Sequence, residues 1–293
     1  MSLKKLLCAT DFSSGSTRAI RLAAQIASET HADLVLAHVF YIPSVAYASE
    51  VGPSASLVQE LVDDTERDLD AAVRDASVHL GRPVTATLLS GVPWAEIVAV
   101  LEAEPGTFDL CVIGTHGRTG LARVVLGSVA EKVVRHAPCP VLVVRPDTEV
   151  RPFRHVLVPT DFSASAAHAL EVATELVHPQ GRVTLLHVLD VPAPYPGETL
   201  EHELASLQRR ASASLEELVA TVKSKVRIDT ELRFGSAGRQ ILAAVDADAS
   251  IDLVAVGSHG RTGVKRALIG SVAEKTVRYA ACPVVVARRP VTS

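Results

Sequence analysis

The sequence predicts two consecutive α/β domains, each a doubly wound parallel sheet with helices on both faces. Three observations carry this. The chain has 293 residues, beyond the usual range of roughly 100–200 for one domain. Long stretches of its first half recur in its second. Finally, 48% of residues are apolar but only 4% aromatic, so Ala, Val, Leu and Ile must build the interior, as in buried parallel strands flanked by helices.

The repeat is clearest between residues 114–146 and 257–290, which share their glycines, an Arg-Thr-Gly, a Gly-Ser-Val-Ala-Glu-Lys and a Cys-Pro in the same order. A second match joins residues 6–27 to 156–177. Asp11 corresponds to Asp161, an offset of 150, and Gly114 to Gly257, an offset of 143, so the second copy has lost 150 − 143 = 7 residues in the loops between. Residues 145–154 are polar and carry Pro146 and Pro152, neither of which extends a central strand or helix. This segment reads as a linker, with domains expected over 1–147 and 153–293.

The elements of the first copy follow in order. Leu3–Ala9 is a short apolar run ending in Thr-Asp, consistent with a buried strand. Ala19, Ile20, Ala23, Ala24, Ile26 and Ala27 then fall on one helical face. Leu34–Val39 reads as strand, Leu57–Leu80 as a charged amphipathic helix and Val84–Leu89 as strand. Trp94–Leu101 is helical, Leu110–Ile113 strand, Val129–Arg135 helical and Val141–Val144 the last strand. Strict alternation implies right-handed crossovers, with any ligand beyond the carboxyl ends of the strands, where the winding reverses.

A net charge of -4 gives no electrostatic footprint for nucleic acid or an anionic membrane. No apolar stretch approaches the roughly 20 residues that span a bilayer, so a cytoplasmic protein is expected. Cys8, Cys111, Cys139 and Cys282 lack metal-ligand spacing; Cys8 and Cys111 fall in expected strands and read as small apolar residues, while Cys139 and Cys282 hold equivalent positions of the repeat, explained by shared ancestry, with a disulfide between them as the alternative. The histidines His38, His187, His116 and His259 recur in pairs, but without the spacing of a metal helix or a serine elbow they read as packing, loop or ligand contacts.

Gly114-Thr-His-Gly117-Arg118 is neither a Walker loop nor a dinucleotide fingerprint. Glycines nevertheless let main-chain N–H groups approach an anion, and Gly127-Ser128 opens a helix whose free N–H groups favour phosphate. Arg118 and Arg261 add charge to such a grip. A structural alternative stands beside this: Ser128-Val-Ala-Glu131 and Ser271-Val-Ala-Glu274 are capping boxes, and Asp-Phe-Ser-Ser is a good helix entrance with Asp or Ser as N-cap.

On these motifs the chain resembles a tandem universal stress protein over nearly all of both halves. ATP-binding members of that family carry Gly-x2-Gly-x9-Gly-Ser/Thr, matched by Gly114, Gly117, Gly127 and Ser128, and by Gly257, Gly260, Gly270 and Ser271. The resemblance implies five parallel strands per domain in the order 3-2-1-4-5. It implies ATP with Mg2+ as ligand, Asp11 and Asp161 near ribose and the metal, reaching it through water, and adenine near Ala9, Thr10 and Val39, then Pro159, Thr160 and Val188. Many relatives have the proline that Pro159 matches, so the second copy is expected to hold the better adenine pocket.

The expected function is a stress-response regulator in which nucleotide occupancy of two sites biases conformation or partner binding, with the loop 117–127 ordered by phosphate. The resemblance further implies an internal pseudo-dimer through the last strands, and homodimerisation is compatible with it. Catalysis is expected to reach at most weak ATP hydrolysis or autophosphorylation. A slow ATPase or phosphotransferase, and a scaffold that binds no nucleotide, are the alternatives.

Overall fold

The structure, a computed structural model, describes residues 3–41, 55–103, 106–115, 126–190, 198–260 and 269–288. Contacts divide the chain into two compact units that meet between Arg151 and Pro152. The first contains β1 (Lys5–Thr10), α1 (Ser14–Thr30), β2 (Asp33–Phe40), α2 (Ala55–Leu80), β3 (Thr85–Ser90), α3 (Pro93–Ala103), β4 (Leu110–Gly114), α4 (Ser128–His136) and β5 (Val141–Val144). The second repeats the order with β6 (Phe153–Thr160), α5 (Ala164–Leu176), β7 (Val177–Leu189), α6 (Glu198–Thr221), β8 (Arg227–Phe234), α7 (Ala237–Ala247), β9 (Leu253–Gly257), α8 (Ser271–Tyr279) and β10 (Val284–Ala287).

Within the first unit the strands run in the order β3-β2-β1-β4-β5, and within the second β8-β7-β6-β9-β10. All of these neighbours are parallel. Both are the order 3-2-1-4-5. The chain winds outward from the first strand through the second to the third, then jumps back to place the fourth beside the first: Leu6 pairs with Leu110, and Val156 with Leu253. The winding reverses there, which opens a crevice at the carboxyl ends of β1 and β4, and of β6 and β9.

Burial explains why the central strands carry no alternation. Leu6, Leu7 and Cys8 of β1 and Leu110, Cys111 and Val112 of β4 have no exposed surface, because helices cover both faces. Helix α1 buries Ala19, Ile20, Leu22, Ala23, Ala24, Ile26 and Ala27, a stripe whose small residues bring it close to the sheet. Ser13 caps its start, and His31 stops it in a left-handed conformation, φ 58°. All four cysteines are buried. Desolvation pushes the thiols of Cys8 and Cys111 well above the ordinary range, so both act as small apolar groups.

Candidate functional site

Each crevice is built from a strand end and its following turn. After Thr10 the chain must reverse into α1, and Asp11 sets that reversal: its Oδ1 accepts the Ser13 N–H at 3.1 Å and the Ser13 hydroxyl at 2.6 Å. Ser13 is the N-cap, accepting the Ser16 N–H at 3.2 Å. Asp11 is therefore not the cap but the residue that positions it. The second unit repeats this with Asp161 Oδ1 accepting the Ser163 N–H at 3.0 Å, and Ser163 capping α5.

Between carboxylate and cap stands a feature that sequence reasoning missed. Phe12 and Phe162 have φ of 62° and 63°, a left-handed conformation that costs a bulky residue on the order of 1–3 kcal/mol. What holds them there is on the neighbouring strand. The Phe12 ring stacks on His38 with centroids 4.2 Å apart, and Phe162 meets His187 at 4.4 Å. Each imidazole is itself fixed, its Nδ1–H donating to the Thr10 carbonyl at 2.8 Å and to the Thr160 carbonyl at 2.7 Å. Since a carbonyl only accepts, Nδ1 carries a proton in each ring. The recurring His38 and His187 carried a signal for this; the φ values left none in the sequence.

The fourth strand supplies the other wall. Gly114 ends β4, the Thr115 N–H donates to the Val144 carbonyl at 2.9 Å, and the Gly127 N–H donates back to the Thr115 carbonyl at 2.8 Å. The second unit uses Ser258 to Ala287 at 3.0 Å and Gly270 to Ser258 at 2.8 Å. These bonds hold Thr115 against Gly127, and Ser258 against Gly270, beside the strand tip. Helices α4 and α8 have Gly127 and Gly270 as N-caps, with no side-chain cap bond at either. This corrects the capping-box expectation: Ser128 and Ser271 are the first helical residues, one position too late for their hydroxyls to act as caps. Glycine has no side chain to occupy the helix-terminal N–H groups, so they remain suited to an anion.

These walls enclose a cavity of about 450 Å³ in the first unit, lined by Ala9, Thr10, Asp11, Val39, Gly114, Gly127 and Ser128. Tyr41, Pro93 and Ile97 also line it. The second unit has a cavity of about 220 Å³ lined by Pro159, Thr160, Asp161, Val188, Gly257, Gly260, Gly270 and Ser271, with Ala237 and Ile241 from α7. Gly117, Arg118 and Arg261 lie outside the described residues, as do His116 and the loop 117–127 up to residue 125. The contribution of α3 and α7 escaped the sequence reading, although Ile97 and Ile241 recur after similar glycine turns.

Two glycines of the second cavity approach their neighbours closely. A Cβ on Gly257 would sit 2.8 Å from the main-chain carbon of Ser165, in the first turn of α5. A Cβ on Gly260 would sit 2.8 Å from Asp161 Oδ2, so that carboxylate oxygen faces the glycine turn. Among the described residues no group of three or more His, Cys, Asp and Glu side chains is placed to hold a metal.

The sequence profile of the Universal stress protein family matches residues 2–145 and again 152–288. A universal stress protein of Methanocaldococcus jannaschii is 38% identical over 143 residues, 48% of this chain and 82% of that protein. One from Mycobacterium bovis is 31% identical over 234 residues, 78% of each chain. Among solved structures, a universal stress protein from Archaeoglobus fulgidus shares the fold with a TM-score of 0.71, covering 97% of this chain and 98% of its own at 21% identity. No helix among the described residues is long and apolar enough to cross a membrane. Two matched halves, each with the strand order and strand-end crevice described above, make this chain a tandem member of the universal stress protein family.

Proposed function

We propose that each half binds one ATP with Mg2+, and that occupancy biases the conformation or partner binding of a cytoplasmic stress-response regulator. One observation carries the reading: in both halves a glycine strand end, an uncapped helix start and a strand-end aspartate line the same cavity. The helix N–H groups of α4 and α8 offer donors and a positive dipole end to phosphate. Asp11 and Asp161 supply the carboxylate for ribose hydroxyls or for water bound to Mg2+, which would neutralise the phosphate charge beside them. The apolar wall formed by Ala9, Val39 and Ile97 suits a flat base.

The test is to denature freshly purified protein and identify the released nucleotide by chromatography, then titrate the stripped chain with Mg-ATP. Adenine nucleotide at up to two per chain, with saturable rebinding, supports the proposal. Protein that neither carries nor binds adenine nucleotide would overturn it. Regulation follows only if ATP binds two states unequally, so limited proteolysis must give different patterns with and without saturating Mg-ATP.

A further inference from the structure

The two cavities differ by a factor of two in volume, and the strand register shows why. Ala9 and Ala37 are direct partners across β1 and β2, while the corresponding partners across β6 and β7 are Pro159 and Leu186. All four residues line their cavities. Paired residues in a parallel sheet point to the same face, so two methyl groups floor the first cavity and a pyrrolidine ring beside an isobutyl group floors the second. The exchanges of opposite sense, Pro93 for Ala237 and Ile113 for Val256, enlarge the first cavity's walls without closing it. The result is about 450 Å³ against about 220 Å³. Clefts that bury a small ligand run to roughly 300–1,000 Å³, a range the first cavity meets and the second does not. The mouths differ too: Tyr41, which lines the first, is replaced by the exposed Asp190 at 41 + 149, the offset that joins His38 to His187.

We infer that the two sites are unequal, the first half being the tighter nucleotide site, and that Ala37 and Leu186 are the residues that decide it. The inference rests on the proposed ATP binding and adds the ranking of the sites. The phosphate cradle is alike in both halves, so its contribution does not separate them. The base does: in the first half it enters the apolar well over Ala9 and Ala37, and in the second Leu186 holds it nearer the rim. One methylene of misfit in an apolar pocket is worth roughly 10–200-fold, and Leu in place of Ala adds three carbons.

The single tryptophan makes the sites distinguishable. Trp94 follows Pro93 of the first cavity and packs against His136 with ring centroids 5.4 Å apart, so its emission reports the first site. Full-length protein is titrated with Mg-ATP by calorimetry and by Trp94 fluorescence, as wild type, Ala37→Leu and Leu186→Ala. Ala37→Val and Leu186→Val serve as milder variants, and thermal melts establish that each is folded. Expected are two classes of site separated by about tenfold or more, only the tighter changing Trp94 emission. Ala37→Leu weakens that class by a similar factor, and Leu186→Ala tightens the other without altering the Trp94 response. Equal affinities in wild type, or a tighter class that survives Ala37→Leu, would overturn the inference while leaving nucleotide binding intact. Failure of wild type to bind Mg-ATP at either site would instead remove the proposed function, and this inference with it.

Discussion

Substituting Gly257 by alanine tests the closeness of the fourth strand to the first helix, on which the crevice depends. The added Cβ would lie 2.8 Å from Ser165 C, 2.9 Å from Ala166 N and 2.9 Å from Ser165 O, against 3.4–4 Å for ordinary contact. All three are main-chain atoms, so no side chain can swing aside and the start of α5 must retreat by about half an ångström. Overpacking of this kind costs typically about 1–3 kcal/mol. The equivalent Gly114 is the internal control, since its Cβ would meet Gly15 C at 3.3 Å and Ser16 N at 3.4 Å. That shortfall is small, and replacing a strand glycine by alanine returns roughly 0.5–1 kcal/mol of backbone entropy, so Gly114→Ala should be close to neutral. Scanning calorimetry of the whole chain should show the Gly257→Ala transition lowered by about 3–10 °C and that of Gly114→Ala nearly unmoved. Equal shifts in the two variants, or no shift in Gly257→Ala, would refute the reasoning.

Three further outcomes follow. Ser13→Ala removes both the cap of α1 and the hydroxyl bond to Asp11, and should cost about 1 kcal/mol in urea unfolding. An unchanged midpoint would show that the turn stands without it. His155, with a side chain 7% exposed, lies 3.1 Å from an Arg182 nitrogen and 3.6 Å from Asp248, with Asp252 and Asp229 also near. Burial first, then the Arg182 guanidinium, lowers its pKa below 6.5. Well above pH 6.5 it is neutral in folded and unfolded chains alike and contributes no pH dependence. Below it the unfolded chain binds the proton first, so stability falls as pH drops from 6.5 toward the lower folded value. His155→Gln should lose that part of the slope, and parallel curves for the two proteins would contradict this origin. Finally, Cys8 and Cys111 should resist a thiol reagent in the native protein and react only on unfolding, whereas rapid native labelling of either would disprove their burial.

Most of the fold was legible because its signals are local and occur twice. The strand expected over Val141–Val144 is observed over those residues, and that expected over Leu34–Val39 runs from Asp33 to Phe40. Helix ends were less legible: in Ser128-Val-Ala-Glu131 the N-cap position fell one residue earlier than the capping box implied, since glycine is tolerated at that position without any side-chain bond and leaves no side-chain signature. Strand order came from the family resemblance rather than from the residues, because hydrophobic pattern marks strands without ordering them. The left-handed Phe12 and Phe162 were illegible for a different reason, being held by His38 and His187 from another strand. The resemblance favoured the copy with Pro159. The ranking inferred above runs the other way, and it needed the register that sets Ala9 beside Ala37 and Pro159 beside Leu186.

The central claim is that glycine strand ends and uncapped helix starts hold a nucleotide's phosphates opposite a strand-end carboxylate. A crystal structure of the full chain grown with excess Mg-ATP tests it most directly. The account predicts phosphate oxygens within hydrogen-bond reach of the main-chain N–H groups that open α4, and of those that open α8 where that site is filled, with Asp11 and Asp161 facing ribose or metal-bound water. Density for ATP elsewhere on the chain, or both crevices without nucleotide at saturating concentration, would contradict it.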